Sequence, residues 1–288
     1  MTLTAVSYRT RTNSPRSRLW AKASGLLVDE WLLEREPPAD LAERLVCTWR
    51  GDVGEAWTLL PDECVDMYWV GGSVWVSGPE TRSWLSAAAR GTDAVGVCFR
   101  SGVAPSLLGV AASELRDARV RLDQLWGDRA ARELAERVGC QDDDDDRAVE
   151  LENAVRQMAA GAWGLDVVAS EVTDRLSTAR AASARGLARA IHLSERQLHR
   201  RCTAAFGYGP EFLLRIHRIQ RFLQLARDTS RPPRLAGLAI EAGYADQPHL
   251  TREVRSIMGT TPAQLLRSSP ECPIGSRPKP LAGATLVG

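Results

Sequence analysis

The 288 residues contain no apolar run approaching the roughly 20 that a membrane-spanning helix needs. Charges such as Arg16, Arg18, Lys22 and Asp29 interrupt the first 35 residues, so no apolar core of signal-peptide type is expected there. The six cysteines, at 47, 64, 98, 140, 202 and 272, include no C-x-x-C pair. That spacing argues against a disulfide framework or a zinc site and for a reducing cytoplasm. Walker A, dinucleotide-binding and G-x-S-x-G motifs are absent as well. Cys64 ends a P-D-E-C phrase, but the H-x-E and P-C-x-x-C pieces of a zinc deaminase are missing. The sequence therefore predicts no catalytic residue, no metal and no cofactor. Tryptophan is missing from the rear of the chain, since all nine lie at or before Trp163.

Charge divides the chain in the same way. Residues 180–267 hold 15 Arg and Lys against 6 Asp and Glu, a net of +9. Residues 268–288 add +1, so the total of +1 leaves −9 in the first 179 residues. An acidic, tryptophan-rich front and a basic rear imply two domains with different partners. A basic segment of this size suits a polyanion, nucleic acid being the commonest in a cytoplasm.

The spacing predicts an α+β protein. Residues 1–30 lack periodicity and read as a flexible extension. Residues 31–140 read as a β-rich domain, a small barrel or sandwich. Its strand-like clusters at Leu45–Trp49, Ala56–Leu60, Met67–Val70, Val74–Val76 and Ala94–Phe99 are punctuated by glycine. Asp142–Asp146 mark a solvated acidic linker over 141–147, because adjacent carboxylates repel one another, and its end is a candidate cap for the next helix. A connecting helix over 148–164 and an all-helical domain over 165–269 follow. Residues 270–288 read as a flexible tail.

Within the rear half one pattern occurs twice. Gly186–Ile191 forms a short helix, His192–Ser194 turns, and Glu195–Ala205 resumes helical spacing with Ser194 as its cap. Leu198, Cys202 and Phe206 take one face, while Arg196, His199, Arg200 and Thr203 take another. In the second copy Leu235–Ala242 is the short helix, Asp246 is the cap, and Leu250, Val254 and Ile257 point inward. Each copy ends in a matching phrase, F-G-Y-G-P at 206–210 and M-G-T-T-P at 258–262. In both, a glycine stops one helix and a proline starts the next. Short helix, tight turn and capped basic helix is the helix-turn-helix plan.

At these residues the chain resembles the AraC/XylS family of bacterial transcription regulators. Leu193–Arg201 (LSERQLHRR) looks like that family's first recognition helix, Ala242–Arg255 (AGYADQPHLTREVR) like its second, and Pro210–Ala226 like the helix between them. Arg201, Cys202, Pro248 and Leu250 depart from the usual pattern. The front half is similar to the small, cupin-like N-terminal domain of some actinobacterial-type members. The phrases that carry this are Leu60–Val70, Val76–Thr81, Gly96–Leu108 and Ser113–Gly127.

The resemblance implies a sequence-specific regulator with two recognition helices in successive major grooves of promoter DNA. By register it places Arg196, His199 and Arg200 at base edges from the first unit, and Gln247, His249, Thr251 and Arg252 from the second. Ser194, Arg218, Arg221 and Arg255 fall at phosphate. RNA polymerase, a small-molecule effector and a second copy of the chain are the further partners it allows, in the cytoplasm and without a membrane. Asp62, Glu63, Asp66 and Trp69 are the front-domain candidates for a ligand. The alternative for Asp62 and Glu63 is a plain turn after Pro61, and for the tryptophans (49, 57, 69, 75 and 84) a core or dimer contact. The rival function is a DNA-binding domain fused to an alkyl-transfer repair enzyme, which would need a cluster of four metal ligands.

Overall fold

Alternation of side chains builds the front half. β1 (Leu32–Arg35), β2 (Leu45–Asp52), β4 (Val65–Val70), β5 (Ser73–Ser77), β7 (Asp93–Phe99) and β8 (Arg119–Arg121) form one antiparallel sheet in the order β1-β2-β7-β4-β5-β8. β3 (Trp57–Leu59) pairs with β6 (Trp84–Ser86) in a second sheet. The computed structural model describes residues 32–52, 57–59, 61–86, 93–162, 164, 166–177, 183–228 and 234–267. The expected extension at 1–30, the tail at 270–288 and the side chains of Trp57 and Trp84 lie outside that description. Among the described residues no hydrogen bonds join β1 to β8, so the larger sheet is open rather than a closed barrel.

With a period of two, Val95, Val97 and Phe99 face one side of β7 while Ala94, Gly96 and Cys98 face the other. Val65 and Met67 of β4 join the first side, which is the apolar core. Helices cover it: α1 (Ala104–Leu108), α2 (Leu122–Trp126), α3 (Asp128–Gly139) and α4 (Asp144–Gly161) supply Leu107, Leu122, Leu134, Val138, Leu151 and Val155. The opposite side carries Cys47, Trp49 and Cys98. At its centre Gly96 is required by packing, since a Cβ there would lie 2.5 Å from the Trp49 ring.

The acidic run is not the domain boundary that its charge suggested. Asp143 caps α4, its carboxylate accepting from the Asp146 amide at 2.9 Å. Asp144, Asp145 and Asp146 fill the first turn, where the helix dipole favours negative charge. Arg147 (2.9 Å from Asp144) and Arg50 (3.4 Å from Asp145) offset their repulsion. The helix expected as a connector is a layer of the front domain. Buried Glu152 accepts from Thr48 Oγ1 at 2.6 Å and lies 2.8 Å from Arg35, which pins α4 across the sheet.

Beyond it the chain is helical: α5 (Val167–Ser177), α6 (Ala184–Ala190), α7 (Glu195–Phe206), α8 (Pro210–Asp228), α9 (Leu235–Glu241), α10 (Gln247–Met258) and α11 (Pro262–Arg267). Two cores form. Val172, Leu187, Leu198, Phe206, Leu213 and Ile216 make the first, and Ile219, Phe222, Leu238, Leu250, Val254 and Ile257 the second. α8 contributes to both, so this one helix sets the spacing of the two units. At about 1.5 Å per residue it spans roughly 28 Å. Among the described residues no helix is long and apolar enough to cross a membrane.

Candidate nucleic-acid interface

Local chemistry fixes where each recognition helix begins. Ser194 Oγ accepts from the Gln197 amide at 3.2 Å, and Gln197 Oε1 accepts from the Ser194 amide at 2.9 Å, a reciprocal capping box. Asp246 caps α10 by accepting from the His249 amide at 2.7 Å. Gly207 (φ 85°) and Gly259 (φ 68°) end α7 and α10 in the left-handed conformation that favours glycine. The helices are thus held rigidly at both ends, as a reading surface must be.

On α7, Arg196, His199 and Arg200 are exposed and share a face at i, i+3 and i+4. On α10, Gln247 and Arg252 are exposed while His249 and Thr251 are half-buried. His249 packs edge-on against Tyr244 at 5.2 Å, and the Thr251 hydroxyl donates to the Gln247 carbonyl at 2.9 Å. Arg221 and Arg255 are exposed. Arg200 and Arg252 each stand six residues past their caps, so the two units present them alike.

Three of the candidate residues have partners within the protein. The Arg218 guanidinium lies 3.2 Å from buried Glu253 and over the Tyr244 ring. Arg215 Nε also donates to Glu253, at 3.1 Å, so a single carboxylate neutralises two arginines beside α10. Ser194 is engaged through both its amide and its hydroxyl with Gln197. Trp69 lies on the helix-covered side of the sheet, with Arg147 4.9 Å above its ring, away from Cys64 and Asp66.

The pairing with Glu253 has a measurable consequence. Glu253→Ala leaves two half-buried guanidiniums facing each other and is expected to cost about 1–2 kcal/mol, less than a fully buried pair because both arginines reach solvent. A lower urea midpoint at unchanged m-value checks it.

Residues 187–268 match the family profile described as a helix-turn-helix domain, which spans both units found above. The rear half of the chain carries a helix-turn-helix domain. Residues 33–121 match the profile of a domain of unknown function, DUF6597. No curated protein matches it. Among solved structures it is similar to ToxT from Vibrio cholerae O395, at 11% identity and a TM-score of 0.43 over 78% of this chain and 97% of that one. ToxT bound to (E)-4-(8-methylnaphthalen-1-yl)but-3-enoic acid gives 11% and 0.44 over 83% and 99%. ToxT from Vibrio cholerae strain SCE256 with an unsaturated fatty acid bound gives 10% and 0.42 over 77% and 94%.

The front domain contacts both helix-turn-helix units. Arg116 donates to the Gly207 carbonyl at 3.2 Å, at the end of α7. A Cβ on Gly207 would lie 2.5 Å from Pro79, so the front domain approaches this cap closely. Ser83 donates its amide to the Ile257 carbonyl (2.9 Å) and its hydroxyl to the Met258 carbonyl (3.0 Å), at the end of α10. Between them, α8 meets the turn at Pro61–Cys64. Gln220 Nε2 donates to the Pro61 carbonyl at 2.7 Å, and His217 Nε2 lies 2.5 Å from Glu63 Oε1. Glu63 is buried at φ 68°, unusual for a side chain of its size, and accepts from Ser101 Oγ at 2.8 Å. Sequence spacing gives no signal for Ser83, His217 or Gln220 in this junction.

The front-domain acids are therefore divided. Glu63 serves the junction. Asp62 turns the chain as the plain alternative requires, its Oδ1 accepting from the Cys64 amide at 3.0 Å. Asp66 accepts from Trp49 Nε1 at 2.9 Å on the open-sheet side. Burial raises Asp62 above the ordinary carboxylate range and pushes Asp66 up to about 7, against the hydrogen bond from Trp49. Glu34, missed in the sequence, joins them: burial, then the charges of Asp66 and Asp62, push its carboxyl up to about 8. Strand pairing sets Cys98 opposite both Cys47 and Asp66, uniting thiols that are far apart in sequence. Among the described residues no group of three or more His, Cys, Asp or Glu is arranged to hold a metal ion.

Proposed function

We propose that the regulator lays α7 and α10 in successive major grooves on one face of promoter DNA, with α8 setting their separation near one helical turn. Arg196, His199 and Arg200 read base edges from the first helix, and Gln247, His249, Thr251 and Arg252 from the second. Arginine suits guanine O6 and N7, glutamine suits adenine, and the threonine methyl suits thymine. Ser194, Arg218, Arg221 and Arg255 meet phosphate. The observation that carries this reading is the equivalent, exposed placement of Arg200 and Arg252 on two helices that share one spacer. The protein acts in the cytoplasm by binding, without a catalytic step. Its front domain modulates that binding through an effector or a second copy, and RNA polymerase is the further partner on the promoter.

The test is binding of the full chain to a DNA fragment recovered by site selection, followed by fluorescence anisotropy. About four phosphate contacts should lower affinity roughly 150-fold between about 50 and 200 mM salt. An affinity that ignores salt over this range contradicts the reading.

A further inference from the structure

Two segments of the front domain reach the ends of both reading helices. Residues 78–83 leave β5, residues 112–118 lead into β8, and these two strands pair at Ser77 and Arg119. The first segment carries Ser83, whose amide and hydroxyl donate to the Ile257 and Met258 carbonyls at the end of α10. The second carries Arg116, which donates to the Gly207 carbonyl at the end of α7. Pro79 of the first segment and the Ala112 carbonyl of the second close in the same cap, 2.5 and 3.1 Å from where a Gly207 Cβ would stand. Carbonyls at a helix end have no partner within the helix, so these donors satisfy groups that would otherwise need water.

The two segments are fastened to each other. The Asp117 carboxylate accepts from the Thr81 amide and hydroxyl, each at 2.7 Å, and the Asp117 amide donates to the Pro79 carbonyl at 3.0 Å. Gly78 donates its amide to the Ala118 carbonyl at 3.0 Å, and a Cβ on Gly78 would overlap the Leu115 backbone. The helix-turn-helix units, by contrast, have separate cores and share α8. A single helix holds them along its length but can curve gently between them. The fastened segments add a second link, from the end of α7 to the end of α10, and close a ring with α8. Two linked binding modules engage paired sites best when their span matches, and a stiffer link narrows the spans accepted.

We propose that Ser83 and Arg116, joined by the clasp between Thr81 and Asp117, are spacing determinants: they brace the two reading helices at one separation and so restrict the half-site spacing of the DNA that the protein accepts. The proposal rests on the reading that both helices engage DNA. Neither residue needs to touch a base, because the selectivity acts through the separation of the helices.

The experiment measures affinity of the full chain and of Ser83→Ala/Arg116→Ala for a selected site and for the same site with one base pair inserted between the half-sites. The insertion displaces one half-site by about 3.4 Å and rotates it by about 35°. Affinity for the selected site should change by less than about threefold, while the penalty for the insertion should be at least about tenfold smaller in the double variant. Ser83→Pro/Arg116→Ala also removes the amide donor and should relax spacing further. Thr81→Ala, which touches neither helix, should relax it less. Without DNA, spin labels on unnatural side chains at exposed Ala204 and Glu241 report the separation of the two units, and both double variants should broaden the distance distribution. Circular dichroism confirms that each variant is folded. An insertion penalty unchanged in both double variants overturns the proposal, and so does an unchanged distance distribution. If the parent itself shows no spacing preference, the reading of two helices on DNA fails, and the label distances, taken without DNA, still decide the brace.

Discussion

Arg200→Ala and Arg252→Ala should each cost about 1–3 kcal/mol of specific binding, roughly 5- to 150-fold, while nonspecific binding stays largely intact. Each guanidinium is exposed on a helix locked by a cap at one end and a left-handed glycine at the other. A bidentate fork from arginine to guanine discriminates against the other bases, so its loss relaxes preference at a single position. The two affected positions should lie about one turn, roughly 10 base pairs, apart. Arg200→Lys keeps the charge and loses the fork, and should relax the same position. Site selection with the full chain and each variant measures this. An unchanged selected sequence in both alanine variants would overturn the assignment of the reading face. Arg255→Ala, at a phosphate, should instead weaken all sequences alike and flatten the salt slope by about one.

Glu34→Gln should raise the stability of the free protein at neutral pH by roughly 3 kcal/mol and leave it unchanged near pH 4. In the unfolded chain this carboxyl ionises at the ordinary value of 4.5, whereas burial beside Asp66 and Asp62 raises it to about 8 in the folded one. The folded state thus holds a proton that the unfolded state releases. The associated stability is complete below about 4.5 and is lost progressively as pH rises to about 8. Glutamine is neutral throughout and removes this dependence. Melting curves of the parent and the variant from pH 4 to 8 should diverge as pH increases, and parallel curves would contradict the burial argument.

Legibility in the sequence followed the range of the interaction. Ser194, Asp246, Gly207, Gly259 and the prolines opening α8 and α11 act within one helical turn, and the structure has each where the pattern puts it. The short strands β1 and β8 were not legible, since three or four residues such as Arg119–Arg121 offer no alternation to count. The acidic run was legible as a helix cap, but not the packing of that helix into the front-domain core through Leu151 and Val155. The pairing of Arg218 with Glu253, 35 positions away, was not legible. The junction is less visible still: Gln220 meets Pro61 across 159 positions and Ser83 meets Met258 across 175. No periodicity or local motif reports contacts of that range, and the cysteine spacing likewise missed the register that unites β2, β4 and β7.

Hydroxyl-radical footprinting of the full chain on a selected fragment tests most directly that two helix-turn-helix units read one face of the duplex. Two protected patches on the same face are predicted, with centres about 10 base pairs apart. A single patch, or two patches on opposite faces of the duplex, would contradict the account.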